Sequence, residues 1–279
     1  MTPIAESGLF HPCYYEEAHL RYARMHVPVA PACNVQCRFC NRKYDCANET
    51  RPGVTSGILT VDEAISKVRR VRESLPNLSV VGVAGPGEPL ANRETLEAFR
   101  RLHSEFPDLL LCVATNGLLL PESAGELSSI GVRYVTVTIN AIDPDVGSEI
   151  YSWVRPNGSP LRGREGFELL SARQWEGLRS CVERGVVVKV NSVLIPGLNE
   201  AELPRIAERA SQAGAFVMNV IPLIPVRGSE FEGRTAPSGA ETRRVREECG
   251  RHLRQVGHCA RCRADAVGLL GCDLSSLYR

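Results

Sequence analysis

Six apolar, β-rich runs punctuate the chain: Val27–Ala30, Val80–Ala84, Leu109–Ala114, Tyr134–Asn140, Val186–Leu194 and Phe216–Ile221. From about residue 60 onward they alternate with amphipathic stretches, a pattern that predicts a parallel sheet covered by helices. Val61, Ala64, Ile65, Val68, Val71 and Leu75 recur at helical spacing behind a Thr60-x-x-Glu63 capping box. Leu96, Phe99, Leu102 and Phe106 mark a second helix. Trp175, Leu178 and Val182 run up to Gly185, and Leu203, Ile206 and Ala210 stop before Gly214, each with a glycine placed to end a helix. Six strands are too few to close an eight-stranded barrel, so the expected fold is α/β, an open partial (β/α)6 barrel. Its chemistry should gather at the C-terminal strand ends, where the βα loops converge. The expected layout is an N-terminal extension over 1–26, the barrel over 27–235, and a C-terminal helix and tail over 236–279. The Gly-, Pro- and Arg-rich segment from Asp143 to Gly166 is long for a connection and reads equally as a lid or a surface excursion.

A chain of 279 residues can bury a sizeable core without disulfides. Its charges nearly cancel to +1, which argues against nucleic-acid or anionic-membrane partners. The apolar stretches fall short of the roughly 18 residues a membrane span needs, and the opening MTPIAESGLF lacks the basic start of a secretory signal. A cytoplasmic protein is expected. Eleven cysteines are many, and an odd number suits a disulfide framework poorly. In a reducing compartment clustered thiols are better explained as metal ligands. Cys181 and Cys249, on apparent helix faces, read instead as small buried hydrophobes.

Directly after the first apolar run comes Cys33-Asn-Val-Gln-Cys37-Arg-Phe-Cys40, a C-x3-C-x2-C loop that lets three thiolates converge on one centre. A structural zinc wants four ligands and would have to recruit Cys46. A cubane iron-sulfur cluster held by three cysteines leaves one iron open to a non-protein ligand.

This spacing, with Phe39 before the last cysteine, resembles the radical S-adenosylmethionine (SAM) superfamily. The resemblance implies a [4Fe-4S] cluster on Cys33, Cys37 and Cys40 whose open iron chelates SAM and whose electron cleaves it to a 5′-deoxyadenosyl radical. Gly85-Pro86-Gly87-Glu88 is similar to the superfamily's GGE-type turn, with Pro86 in place of the second glycine. It assigns Gly85, Gly87 and Glu88 to the SAM amino group. Asn116, Thr138 and Asn140 end strands at the functional edge, where ribose hydroxyls need partners, although turns and caps explain them nearly as well. Leu194 and Ile195, in a segment loosely similar to the superfamily's adenine cradle, complete the cofactor set.

Five further segments in order, His11-Pro-Cys13, Ala23-Arg-Met-His26, Cys40 through Cys46-Ala-Asn48, Gly85 through Ala91 and Cys262 through Gly271, are similar to the NifB family of radical SAM maturases. That resemblance implies two further [4Fe-4S] substrate clusters, fused with a SAM-derived carbon and a sulfur into the [8Fe-9S-C] precursor of the nitrogenase cofactor. It makes Cys13, His26, Cys46 and Cys112 candidate ligands of one substrate cluster, and Cys259 with Cys262 ligands of the other. Cys112 and His26 are thereby placed with the triad in the catalytic set. His11 is the alternative imidazole. Implied partners are an iron-sulfur cluster donor, a separate carrier or scaffold protein that collects the product, and an electron donor such as ferredoxin. The tail bearing Cys259 and Cys262 is expected to fold over the barrel mouth. Arg21, Arg24 and Lys43, beside these motifs, could neutralise an anionic cluster or orient the SAM carboxylate, but ordinary surface solvation is the favoured reading of each; Cys272 reads as incidental. Two alternatives remain: radical SAM chemistry on a peptide or small molecule with auxiliary relay clusters, and a non-catalytic iron-sulfur scaffold or electron carrier.

Overall fold

The computed structural model describes residues 11–278. Residues 1–10, part of the expected N-terminal extension, lie outside the described residues. Strands β1 (Ala23–His26), β3 (Leu78–Val83), β4 (Leu110–Thr115), β5 (Val132–Thr138), β7 (Val187–Leu194) and β8 (Val217–Pro222) run parallel in one sheet. The short β9 (Val267–Gly268) adds to the outer edge of β1 in the antiparallel sense, giving the order β8-β7-β5-β4-β3-β1-β9. Helices α1 (Val61–Ser74), α2 (Arg93–Glu105), α3 (Leu120–Ile130), α5 (Gly163–Glu183) and α6 (Glu202–Gln212) supply the crossovers, and α7 (Gly239–Gly250) follows β8. The architecture is the expected curved α/β partial barrel. The Thr60–Glu63 capping box starts α1 as its sequence predicts.

The main core lies between the helices and one face of the sheet. Met25, Val81, Val113, Val135 and Val190 point outward to meet Ile65, Phe99, Leu127, Trp175 and Ile206, all buried in one cluster. Cys181 and Cys249 belong to it, as expected for small apolar side chains. The alternate positions face inward and carry a polar row, Arg24, His26, Cys112, Thr136, Thr138, Lys189, Asn191 and Asn219, among smaller and apolar residues such as Gly82, Ala114 and Ile221. A parallel sheet covered on both faces ordinarily carries apolar runs, so this inner row marks where the site lies.

Three expectations are corrected. The first strand is Ala23–His26 rather than Val27–Ala30, because Pro28 and Pro31 lack the N–H that a ladder requires. The Asp143–Gly166 segment is structured in its first half, where it forms α4 (Pro144–Ile150) and β6 (Tyr151–Val154), and β6 pairs antiparallel with β2 (Val35–Cys37) inside the cysteine loop; residues 155–162 form a largely exposed turn. Arg24 is 2% exposed, not solvated, and donates to the Gly268 carbonyl at 2.5 Å and to Cys262 Sγ at 3.0 Å.

The C-terminal segment straps the open side of the half-barrel. Gln255 pairs in parallel with Met218 on edge strand β8. The chain then passes Cys259 and Cys262 and reaches the opposite edge, where the His26 N–H donates to the Ala266 carbonyl and β9 pairs with β1. No helix of the described residues is long and apolar enough to cross a membrane.

Candidate active site

Two backbone seams hold the Cys33–Cys40 loop. On one side β2 pairs with β6, and Gln36 Nε2 donates to the carbonyls of Cys37 and Cys40, both at 2.9 Å. On the other, Gly87 N–H donates to the Ala30 carbonyl at 2.6 Å and Glu88 N–H to that of Ala32 at 2.8 Å. Gly87 is required by this contact, since a Cβ there would lie 2.2 Å from Ala32 O. The glycine-rich turn is thus zipped to the chain entering the cysteine loop. Cys33, Cys37 and Cys40 line a pocket of about 400 Å³, its open mouth included, with Cys46, Arg42, Gly87, Glu88, Asn116 and Thr138.

Glu88 accepts from Thr115 Oγ1 at 2.5 Å, Asn116 N–H at 2.6 Å and Leu90 N–H at 3.0 Å. Burial outweighs these donors and pushes its carboxyl up to about 7. Burial likewise pushes Cys33 up to about 11 and raises Cys37, Cys40 and Cys46. Buried thiols of this kind stay protonated until a cation takes the proton's place, which is how metal uptake releases protons.

A second cavity, about 700 Å³ with its mouth included, opens against the inner face of the sheet. Cys13, His26, Cys112, Cys259 and Cys262 all line it, brought together from the N-terminal turn, β1, β4 and the C-terminal strap. Burial pushes Cys13 and Cys112 up to about 12 and His26 down to about 4, so the imidazole is neutral. The Arg263 carbonyl, 3.0 Å from His26 Nδ1, orients that ring. Arg261, between the two strap cysteines, has a left-handed backbone (φ 49°) and donates to the carbonyls of Pro222 and Ala47. Among the described residues no three His, Cys, Asp or Glu side chains close to single-ion geometry.

Asn48 and Glu49 line both cavities and stand between them. Glu49 accepts from Asn191 Nδ2 at 2.7 Å and from Thr138 Oγ1, and burial raises its carboxyl. Asn48 Nδ2 lies 3.5 Å from Cys37 Sγ and 4.0 Å from Cys46 Sγ.

Most sequence-derived candidates therefore fall into one of two thiol-lined cavities, with some regrouping. Cys46 faces the triad cavity rather than the one holding Cys13, His26 and Cys112, while Cys259 and Cys262 join those three. Five cofactor candidates line neither cavity. Phe39 is packed near Phe231, and Ile195 is buried in the same cluster; Leu194 is in the main core. Asn140 is fully engaged with Asn48, Tyr151 and the Val193 N–H. Gly85 borders Cys46 and Ala264, each Cβ 3.7 Å from where its own would be. Sequence reasoning missed Glu49, Arg42 and Lys189. Lys189 offered a readable signal, a charge in the middle of the apolar run Val186–Leu194. Its ammonium lies 4.9 Å from the Tyr14 ring centroid, on the cavity wall.

The radical SAM superfamily profile matches residues 27–210. The chain belongs to the radical SAM superfamily. Among curated relatives of this superfamily member, the FeMo cofactor biosynthesis protein NifB of Klebsiella pneumoniae is 47% identical over 284 residues, which is 100% of this chain and 61% of that protein. The NifB of Azotobacter vinelandii is 48% identical over 94% of this chain and 53% of its own length. The radical SAM chain thus spans only somewhat over half the length of these relatives. Among solved structures, methylornithine synthase superposes with a TM-score of 0.51 at 15% identity, covering 81% of this chain and 62% of that one. That likeness shows the shared fold. The donor set suits the superfamily's cluster: three thiols converge on one cavity with the Glu88 turn on its wall.

Proposed function

We propose that this radical SAM enzyme is a nitrogenase-cofactor maturase that fuses two [4Fe-4S] substrate clusters, with a SAM-derived carbon and a sulfur, into an [8Fe-9S-C] precursor. The observation that carries it is the shared partition: a cavity lined by the Cys33–Cys37–Cys40 triad with Cys46, and a second cavity lined by four thiols and two imidazoles, adjoin at Asn48 and Glu49. The 45–50% identity to NifB proteins over most of the chain supports the same reading.

Cys33, Cys37 and Cys40 would hold the resident [4Fe-4S] cluster, which when bound supplies the electron that cleaves SAM. Glu88 and Gly87 would bind the SAM amino group, and Asn116 and Thr138 its ribose. Cys13, His26, Cys112, Cys259 and Cys262 would hold the substrate clusters, with Cys46 at the boundary. The C-terminal strap covers part of the cavity in which the clusters would meet and so limits the access of water to it. A cluster donor, a product carrier and a ferredoxin-like electron donor are the partners such a reaction needs, in the cytoplasm.

Anaerobic reconstitution tests this reading. Three cubanes predict about twelve irons per chain, 5′-deoxyadenosine on addition of SAM and dithionite, and a product that activates cofactor-free nitrogenase. About four irons after full reconstitution, or no SAM cleavage, overturns it; the latter outcome would describe a scaffold or electron carrier.

A further inference from the structure

Two imidazoles face the cysteine-lined cavity, and the backbone fixes a different tautomer for each. His26 Nδ1 lies 3.0 Å from the Arg263 carbonyl oxygen. A carbonyl only accepts, so Nδ1 carries the proton and Nε2 keeps the lone pair that can bind iron. His11 is wired the opposite way. The Cys13 backbone N–H donates to His11 Nδ1 at 3.0 Å. An N–H only donates, so Nδ1 holds the lone pair and Nε2 holds the proton.

That Nε2–H is buried and has no hydrogen-bond partner among the described residues, although His11 is only 2% exposed and lines the cavity. A buried donor left without an acceptor is unfavourable, so the site favours an occupant that supplies one. The ring cannot easily turn away, because Tyr14 and Tyr134 pack on it with centroids 4.6 and 4.8 Å distant. The Tyr14 hydroxyl is itself engaged with Thr136, 3.1 Å away. A sulfur-rich occupant of the cavity would offer the missing acceptor.

We propose that His11 is a positioning residue for the substrate cluster, its Nε2–H donating to a cluster sulfur while His26 binds iron. This rests on the substrate-cluster reading above and divides the labour of two histidines that the sequence left as alternatives. Hydrogen bonds to sulfur raise the reduction potential of an iron-sulfur cluster, so the donor leaves a signature that a ligand or a packing residue does not.

The test uses the full chain reconstituted anaerobically with iron and sulfide, comparing wild type, His11→Phe, His11→Gln and His26→Phe. Iron content, the nitrogen coupling of the reduced clusters by pulsed electron paramagnetic resonance, and midpoint potential are measured. His11→Phe should keep wild-type iron and the strong nitrogen coupling but shift a midpoint potential downward. His11→Gln, which restores an N–H donor, should recover part of that shift, and His26→Phe should abolish the strong coupling. Loss of iron or of the strong coupling in His11→Phe would make His11 a ligand and overturn the proposal. An unchanged potential with only a lower melting temperature would reduce it to packing against the tyrosines, overturning it as well. If the wild type holds only the triad's about four irons, the substrate-cluster reading fails first and this inference with it.

Discussion

His26 and Cys112 flank the bare backbone of Gly82: a Cβ added there would lie 3.4 Å from His26 Cδ2 and 3.6 Å from Cys112 Cβ. The register His26↔Gly82↔Cys112 puts one residue from each of three adjacent strands in a row on the inner face. The missing side chain in the middle leaves the imidazole and the thiol facing a common space. Neither residue is placed there by anything local in the sequence.

Cys112→Ala tests that pairing. As a change at a half-buried position it should cost no more than about 1–3 kcal/mol in stability, with a cooperative urea transition retained. Iron per chain should fall and cofactor maturation should be lost. Wild-type iron content and maturation in this variant would remove Cys112 from the ligand set.

Glu49 joins the loop after the triad to β5 and β7 through Thr138 and Asn191. In Glu49→Ala both donors lose their acceptor while Lys189 and Arg261 lose a nearby carboxylate. Each buried group left unsatisfied costs about 1–3 kcal/mol, so the denaturation midpoint should drop substantially. Glu49→Gln should lose less, since the amide oxygen still accepts from one donor. Equal stability of wild type and Glu49→Ala would mean that the partition is not held by this carboxylate.

Gly87→Ala should be among the most disruptive single substitutions. Its Cβ would meet Ala32 O at 2.2 Å and Ala30 O at 2.8 Å, and these are backbone atoms that cannot step aside. The seam between the Glu88 turn and the cysteine loop must open, and the expected result is insoluble protein or a loss of several kcal/mol. Gly57→Ala, with nothing within 4 Å of the added carbon, is the matched control and should be nearly neutral. Similar solubility and melting temperature for the two variants would contradict the tight seam.

Glu88 carries a pH prediction for the cluster-free chain. Its carboxyl titrates at about 7 in the fold against an ordinary 4.5, because burial disfavours the charge. The folded state therefore holds the proton more tightly than the unfolded chain. The resulting stabilisation is fully present below pH 4.5 and is lost as pH rises through about 7. At about 1.4 kcal/mol per pH unit the loss is on the order of 3 kcal/mol. Glu88→Gln has no such titration, so it should gain on wild type across that interval in urea denaturation. Parallel stability curves for the two proteins would contradict the raised carboxyl.

Much of the scaffold was readable without coordinates, because it rests on local signals. Apolar β-rich runs, helical spacing behind Thr60 and stop glycines such as Gly185 and Gly214 act within a few residues, and the α/β half-barrel follows from their alternation. The triad was readable for the same reason: three thiols within eight positions can converge whatever surrounds them. The first strand is less legible: the apolar content of Val27–Ala30 predicts a strand there, whereas the missing N–H of Pro28 leaves it at Ala23–His26.

What only the tertiary structure decided is who shares a cavity with whom. Cys13, Cys112 and Cys262 are far apart in sequence yet line one wall, while Cys46, six residues from Cys40, faces the neighbouring cavity. The fate of Arg24, buried against Cys262, and of the Asp143–Gly166 segment, which clasps the cysteine loop through β6, was fixed by contacts over more than a hundred residues. Local spacing sets which groups a loop can present. Sheet register and the C-terminal strap set which loops meet, and those long-range pairings leave no periodic trace in a single sequence.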